Sequence, residues 1–112
     1  MSEPRLKTAI WASAAIRRAD QLGRSGMVLR RGDGDAGGVL AVLRNRVGEI
    51  TILSQVRGVD GAAAWMRATG ADPVDQETAD AYVARQVGRD PDLWVLEFDA
   101  PDLKPPFEAV II

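Results

Sequence analysis

The chain has 112 residues, of which 46% are hydrophobic and 27% charged, and its formal net charge is −2. These values are typical of one globular domain, so we predict a single domain over residues 1–112, with a loose lead-in at 1–7 and a tail at 100–112. Cysteine and histidine are both absent, which excludes disulfides, thiolate chemistry, zinc–cysteine sites and histidine-based catalysis. We therefore expect no metal and no cofactor, and the composition argues against an enzyme.

The first predicted element is a helix from Thr8 to Leu22. Thr8 is in the position of an N-cap, and Gly23 is in that of the glycine that ends many helices. The apolar run at 9–16 resembles a signal peptide, but Arg17 and Arg18 end it after eight residues, so we interpret it as part of the domain. Because no segment approaches the ~20 apolar residues of a membrane span, we predict a cytoplasmic protein.

Three short apolar runs follow, at 27–31, 39–44 and 49–56. The segments between them contain glycine and Asn or Asp, which tolerate the positive φ angles of tight turns. This pattern predicts an antiparallel meander. After a further predicted turn at 58–61, we predict a fourth strand at 62–68, although its alanines also permit a helix.

The second half adds a helix and a last strand. Asp75 is in position to cap a helix that runs to Val87, and Gly88 and Pro91 follow where the helix should end. The run Leu93–Phe98 is a strand pattern. The order α-β-β-β-(β)-α-β predicts an α+β fold: a two-layer sandwich in which a mostly antiparallel sheet of four to five strands carries both helices on one face.

The glycine-rich stretch RRGDGDAGG (30–38) could be a metal loop, a phosphate loop or a turn. A calcium loop that begins at Asp33 would need an oxygen ligand at Gly37 and a glutamate at Arg44. A phosphate loop would open a helix, but an apolar strand pattern follows. We therefore interpret the stretch as a turn with solvated charges, with a carboxylate metal site as the alternative.

The arginine side chains suggest a ligand-binding function, because guanidinium groups suit anionic ligands. Residues 1–57 have ten Lys or Arg and five Asp or Glu, a net charge of +5, whereas residues 58–112 have a net charge of −7. The arginines could therefore bind an external anion or pair with the acidic half. A pI near 5.1 argues against nucleic acid. The alternative prediction is a small anionic-ligand or nucleic-acid site, or a weak carboxylate-based enzyme, with these candidate residues: Arg17, Arg18, Arg30, Asp33 and Asp35.

The last strand is apolar on both faces, since Trp94, Leu96 and Phe98 alternate with Leu93 and Val95. A sheet with one wet face should alternate apolar with polar residues, so the second face needs a cover, either the C-terminal tail or another copy of the chain. We therefore predict a non-enzymatic protein-interaction module that acts as a homodimer. Its candidate interface residues are Trp65, Leu93, Val95, Phe107, Val110 and Ile111.

Several segments, in this order and spacing, resemble the bacterial family called domain of unknown function 1491. They include LKTAIWASAAIRRA, MVLRRGDGDAGGVL, ILSQVRGVDG and ADAYVARQVGRDPDLWVLEFD. The resemblance spans about residues 5–99. It implies a small single-domain bacterial protein without an assigned activity, and it supplies no catalytic or binding residues.

Overall fold

The computed structural model describes residues 6–57 and 63–112. It contains two helices and five strands: α1 (Thr8–Gln21), β1 (Gly26–Arg30), β2 (Val39–Arg44), β3 (Ile50–Arg57), β4 (Ala63–Arg67), α2 (Gln76–Arg89) and β5 (Trp94–Asp99). The α+β class and the element order are confirmed, and the alanine-containing segment is a strand. The turn predicted at 58–61 lies outside the described residues.

The strands form one mixed sheet in the order β1-β5-β2-β3-β4. Neighbours β2, β3 and β4 are antiparallel, as the meander predicted. β5 is inserted between β1 and β2, antiparallel to the first and parallel to the second. The predicted hairpin between β1 and β2 is therefore wrong. Its linker crosses the start of β5.

The two helices pack on opposite faces of the sheet, which corrects the expected arrangement with both on one face. On the α1 face, small helix residues pack against Ala41, Leu96 and Phe98. On the α2 face, Ala79 lies in a second cluster with Val95. The physical reason is that β2 and β5 are apolar on both sides, so each face needs its own cover. The chain supplies that cover with one helix on each side.

The C-terminal tail packs on its own sheet. The Phe107 ring centroid lies 5.3 Å from those of Trp11 and Trp65 and 5.4 Å from that of Phe98. Farther on, the Trp65 N–H donates to the Val110 carbonyl, and the Ile112 N–H donates to the Trp65 carbonyl, both at 2.8 Å. The tail therefore covers part of the α1 face and pairs with the outer side of β4.

The start of α1 is held by the glycine-rich loop. Thr8 is not the N-cap, because Lys7 occupies that position without a side-chain cap. The Thr8 hydroxyl instead donates to the Gly37 carbonyl at 2.7 Å, and the Ala9 N–H donates to the Gly34 carbonyl at 2.9 Å. Loop carbonyls thus replace the side-chain oxygen that usually satisfies a helix start.

The same loop is packed against the entry to β5. The Asp33 carbonyl accepts a hydrogen bond from the Trp94 indole N–H at 2.7 Å, and the Asp33 N–H donates to the Asp92 carbonyl at 2.9 Å. A Cβ at Gly32 or Gly37 would collide with that Asp92 carbonyl. Glycine is needed at both positions because the backbones approach closely.

Asp75 is the N-cap of α2, as predicted, and its carboxylate accepts a hydrogen bond from the Thr78 N–H at 2.8 Å. Hydrogen bonds from the side chain and backbone of Thr78 lower the pKa of the Asp75 carboxyl. Farther along α2, burial raises the pKa of Tyr82, while the charges of Arg85 and Arg89 oppose that rise.

Candidate functional site

The candidate anion ligands do not share one groove. Arg30 donates to the backbone carbonyls of Pro91 at 2.9 Å and Leu93 at 2.7 Å. The Asp33 carboxylate accepts a hydrogen bond from the Ala36 N–H at 2.9 Å, which stabilises the turn. Asp35 lies 3.7 Å from the Lys7 ammonium.

Arg17 and Arg18 are in α1, whereas Arg30 pairs with Val95, whose side chain lies on the α2 face. In the ranges 6–57 and 63–112, no group of three or more Asp or Glu side chains could hold a metal ion. The described helices are also all too short or too polar to span a bilayer.

Most candidate interface residues lie in or against the chain's own core. Leu93 (8% exposed) and Val95 (1%) are in the cluster that α2 covers, and Trp65 (3%) packs against Phe107. Phe107 and Ile111 pack partly buried against the α1-side cluster. Val110 is 65% exposed. The second face that suggested a partner is therefore covered by α2 of the same chain.

The sheet has one apolar edge that the described residues leave uncovered, and we call β1 (Gly26–Arg30) the open edge. Its three central side chains are Met27 (49% exposed), Val28 (42%) and Leu29 (52%). Sequence reasoning missed this edge because it placed β1 beside β2. The available signal was a run of three apolar residues without polar alternation, followed by two arginines.

The open edge is apolar on both faces and contains a β-bulge. Val28 pairs with Leu96, which lies on the α1 face, and Met27 pairs with Glu97 on the other side. The register then shifts between Val28 and Arg30, so Leu29 is the extra residue. Leu29 lines a groove on the α2 side, and the bulge places Arg30, which pairs with Val95, on that side as well.

That groove lies between β1 and α2 and has a volume of about 250 Å³. We call it the apolar groove; its aliphatic lining is Leu29, Val42, Ala79, Val83, Ala84 and Val87. Its polar lining residues are Gln76, Asp80 and Glu97. Arg44 donates to Glu97 at 3.2 Å and also to Gln76, and Gln76 donates to Asp80 at 2.7 Å. Because these polar groups have partners, the aliphatic walls are the part that still needs a cover.

A second groove, of about 420 Å³, lies beside the start of β1 on the α1 side. We call it the arginine groove; it is lined by Ser13, Ile16, Arg17, Asp20, Arg24, Ser25 and Gly26. Arg17 therefore shares a groove with Arg24 rather than with Arg30. The opposite flank of α1 carries Trp11, which contacts Trp65 over β4.

The family model described as "Protein of unknown function (DUF1491)" matches residues 6–108. The chain belongs to this family. No curated protein matches the chain. Membership confirms the resemblance and assigns no activity.

Solved structures share the fold over nearly the whole chain. The crystal structure of a DUF1491 family protein from Caulobacter crescentus CB15 is 33% identical, with 96% of this chain and 100% of that chain covered and a TM-score of 0.86. An NMR structure of a DUF1491 family protein from the same organism is 32% identical, with 98% and 99% covered and a TM-score of 0.85. Protein Atu0922 from A. tumefaciens is 23% identical, with 97% and 98% covered and a TM-score of 0.81, which shows a common fold.

Proposed function

We propose that the chain is a non-enzymatic, cytoplasmic protein-interaction module that acts as a homodimer through the open edge. One observation carries the proposal: the tail pairs with the β4 edge, whereas β1 leaves Met27, Val28 and Leu29 exposed. A free strand edge offers unpaired N–H and C=O groups to an incoming strand. The exposed side chains would add apolar burial to those hydrogen bonds.

A second copy supplies a matching strand, because a two-fold axis pairs the same surface on both subunits. Antiparallel pairing of two β1 strands would join two five-stranded sheets into one. It would bury Met27, Val28 and Leu29 of both copies. Since β1 has only five residues, the contact is small. We therefore expect a weak dimer whose fraction rises with protein concentration.

Light scattering after size exclusion, over a range of concentrations, tests this proposal. The wild type should approach twice the monomer mass as concentration rises, and Leu29→Lys should shift it towards the monomer. Val47→Lys is the matched control, because Val47 is an apolar side chain that is 79% exposed in the turn between β2 and β3. A monomer at every concentration, or equal dissociation by both substitutions, would contradict the proposal.

The arginine groove supports a second candidate, the binding of a small phosphate-bearing anion. Arg17 and Arg24 line it together with the hydroxyls of Ser13 and Ser25, and Asp20 contributes one opposing charge. Guanidinium groups suit phosphate oxygens. Calorimetric titration with pyrophosphate should show binding that Arg17→Gln weakens and that Arg85→Gln, on α2, leaves unchanged. Absence of heat with wild type would remove this candidate.

A further inference from the structure

We infer that the two copies pair antiparallel with Val28 on the two-fold axis, so that Met27 of each copy covers the apolar groove of the other. This inference rests on the proposed homodimer and names its register and contacts. The groove is then a site that one chain builds only in part. Symmetry, side-chain direction and burial each restrict the possible pairings.

Symmetry restricts the register first. A two-fold axis that relates two antiparallel edge strands is perpendicular to the sheet, so both α1 helices lie on the same face. Residues opposite each other across such a pair point to the same face. In β1, side chains alternate up to the bulge, so the axis must pass through a residue rather than between two. The candidate centres are the three exposed apolar residues.

Burial excludes two of these centres. An axis through Met27 would place Val28 opposite Gly26 and Leu29 opposite Ser25, so neither exposed apolar side chain would have an apolar partner. An axis through Leu29 would place Val28 opposite Arg30 and leave it without an apolar partner.

The axis through Val28 satisfies the burial condition. It places Met27 opposite Leu29 and Val28 opposite its own copy, so each exposed apolar side chain has an apolar partner. It also places Arg30 opposite Gly26, which has no side chain.

In this register, Met27 of the second copy lies at the mouth of the apolar groove. Met27 pairs with Glu97, a lining residue, so its side chain is on the groove side of the sheet. Its opposite residue, Leu29, forms the β1 wall of the groove, and directly opposite Cβ atoms are roughly 4.5–5.5 Å apart. An unbranched thioether adapts to an irregular aliphatic surface, here that of Val83 and Val87.

Single cysteines test the register against a clean background, because the chain has no cysteine. In Val28→Cys, the two Cα atoms would be about 4.5–5.5 Å apart across the axis, within the disulfide range of roughly 4.4–6.8 Å. In Met27→Cys, the two positions are offset along the strands by two residues, or about 7 Å, which places the Cα atoms beyond disulfide reach. Mild oxidation should therefore cross-link Val28→Cys but neither Met27→Cys nor Leu29→Cys alone. A mixture of the last two should cross-link.

Methionine truncation tests the groove contact. Met27→Ala should raise the dimer dissociation constant at least about tenfold, because each copy loses a buried side chain. Met66→Ala is the matched control, since Met66 in β4 is similarly exposed, at 42%, and lies outside the groove lining. The control should leave the dissociation constant unchanged.

The outcomes separate the inference from the proposed function. A dimer that cross-links through Met27→Cys or Leu29→Cys alone, and not through Val28→Cys, overturns the register but keeps the homodimer. A dimer in which Met27→Ala has no larger effect than Met66→Ala overturns the groove contact. A wild-type chain that is monomeric at every concentration overturns the homodimer and the inference together.

Discussion

At the β4 edge, Trp65 accepts one backbone hydrogen bond from the C-terminal tail and donates another, both at 2.8 Å. At the β1 edge, the described residues provide no strand outside Gly26–Arg30. Both strands have five residues and apolar side chains, yet Trp65 is 3% exposed and Leu29 is 52% exposed. Strand composition alone therefore does not decide whether an edge is protected.

The difference comes from which distant segment reaches each edge. After β5, the tail crosses the α1 face, where Phe107 packs against both Trp11 and Trp65, and arrives at β4. The segments next to β1 lead instead to α1 and to the glycine-rich loop. That loop holds the start of α1 and the entry to β5. Closed edges keep a sheet from pairing with other chains, and open ones invite it. This contrast between the two edges can be tested by substitutions and a deletion.

The largest effect should come from β5, which lies inside the sheet next to β1. Val95 is 1% exposed in the cluster under α2, so Val95→Asp places a carboxylate in the core without a partner. We expect a loss of more than about 4 kcal/mol, seen as an unfolded chain by circular dichroism. Leu29→Asp at the open edge should stay folded. A folded Val95→Asp variant with unchanged melting would show that α2 leaves this face open.

At the closed edge, Phe107→Ala should lower the free energy of unfolding by about 3 kcal/mol, because the ring contacts three aromatic side chains. Urea unfolding followed by tryptophan fluorescence measures this loss. Val110→Ala, at a side chain that is 65% exposed, should change stability little. Equal stability of the two variants would mean that the tail does not anchor at Phe107.

Removal of residues 110–112 should make the two edges alike. The deletion loses the two backbone hydrogen bonds at Trp65, a stability cost of about 1–2 kcal/mol. It also exposes the outer side of β4, and a sheet with two open edges can add copies without closing. Light scattering should show species larger than a dimer. Unchanged mass and stability would argue that the tail does not protect β4.

The smallest effect should come from Asp75→Ala, which touches neither edge. Hydrogen bonds from Thr78 lower the pKa of Asp75 in the folded state. The contribution of this carboxylate to stability is therefore present above about pH 3.9, the pKa of an aspartate in the unfolded chain. That contribution is lost as pH falls through the lower pKa of the folded state. The variant should melt a few degrees lower at neutral pH, with a difference that shrinks below about pH 4. Asp75→Asn should keep most of the cap, since asparagine also accepts the hydrogen bond. If the melting temperature of Asp75→Ala were lower by the same amount at every pH, the charge of the Asp75 carboxylate would not contribute to the cap.

Local features were predictable. The Asp75 cap needs a donor only three residues away, and the strands at 39–44 and 50–57 follow from short apolar runs between turn residues. In the candidate site, the apolar run of Met27, Val28 and Leu29 was visible, but its exposure was not. Exposure depends on the neighbours of β1, and no pattern within the run reports them.

The sequence by itself determined where the helices and strands lie and that β2 and β5 are apolar on both sides. Only the tertiary structure decided that β5 enters between β1 and β2, that α2 covers the second face, and that the tail closes β4. The physical reason is range. Caps, turns and periodicity act over a few neighbouring residues, whereas strand order and edge protection depend on hydrogen bonds and apolar contacts between segments far apart in the chain. Those long-range contacts close one edge of this sheet and leave Met27, Val28 and Leu29 exposed at the other.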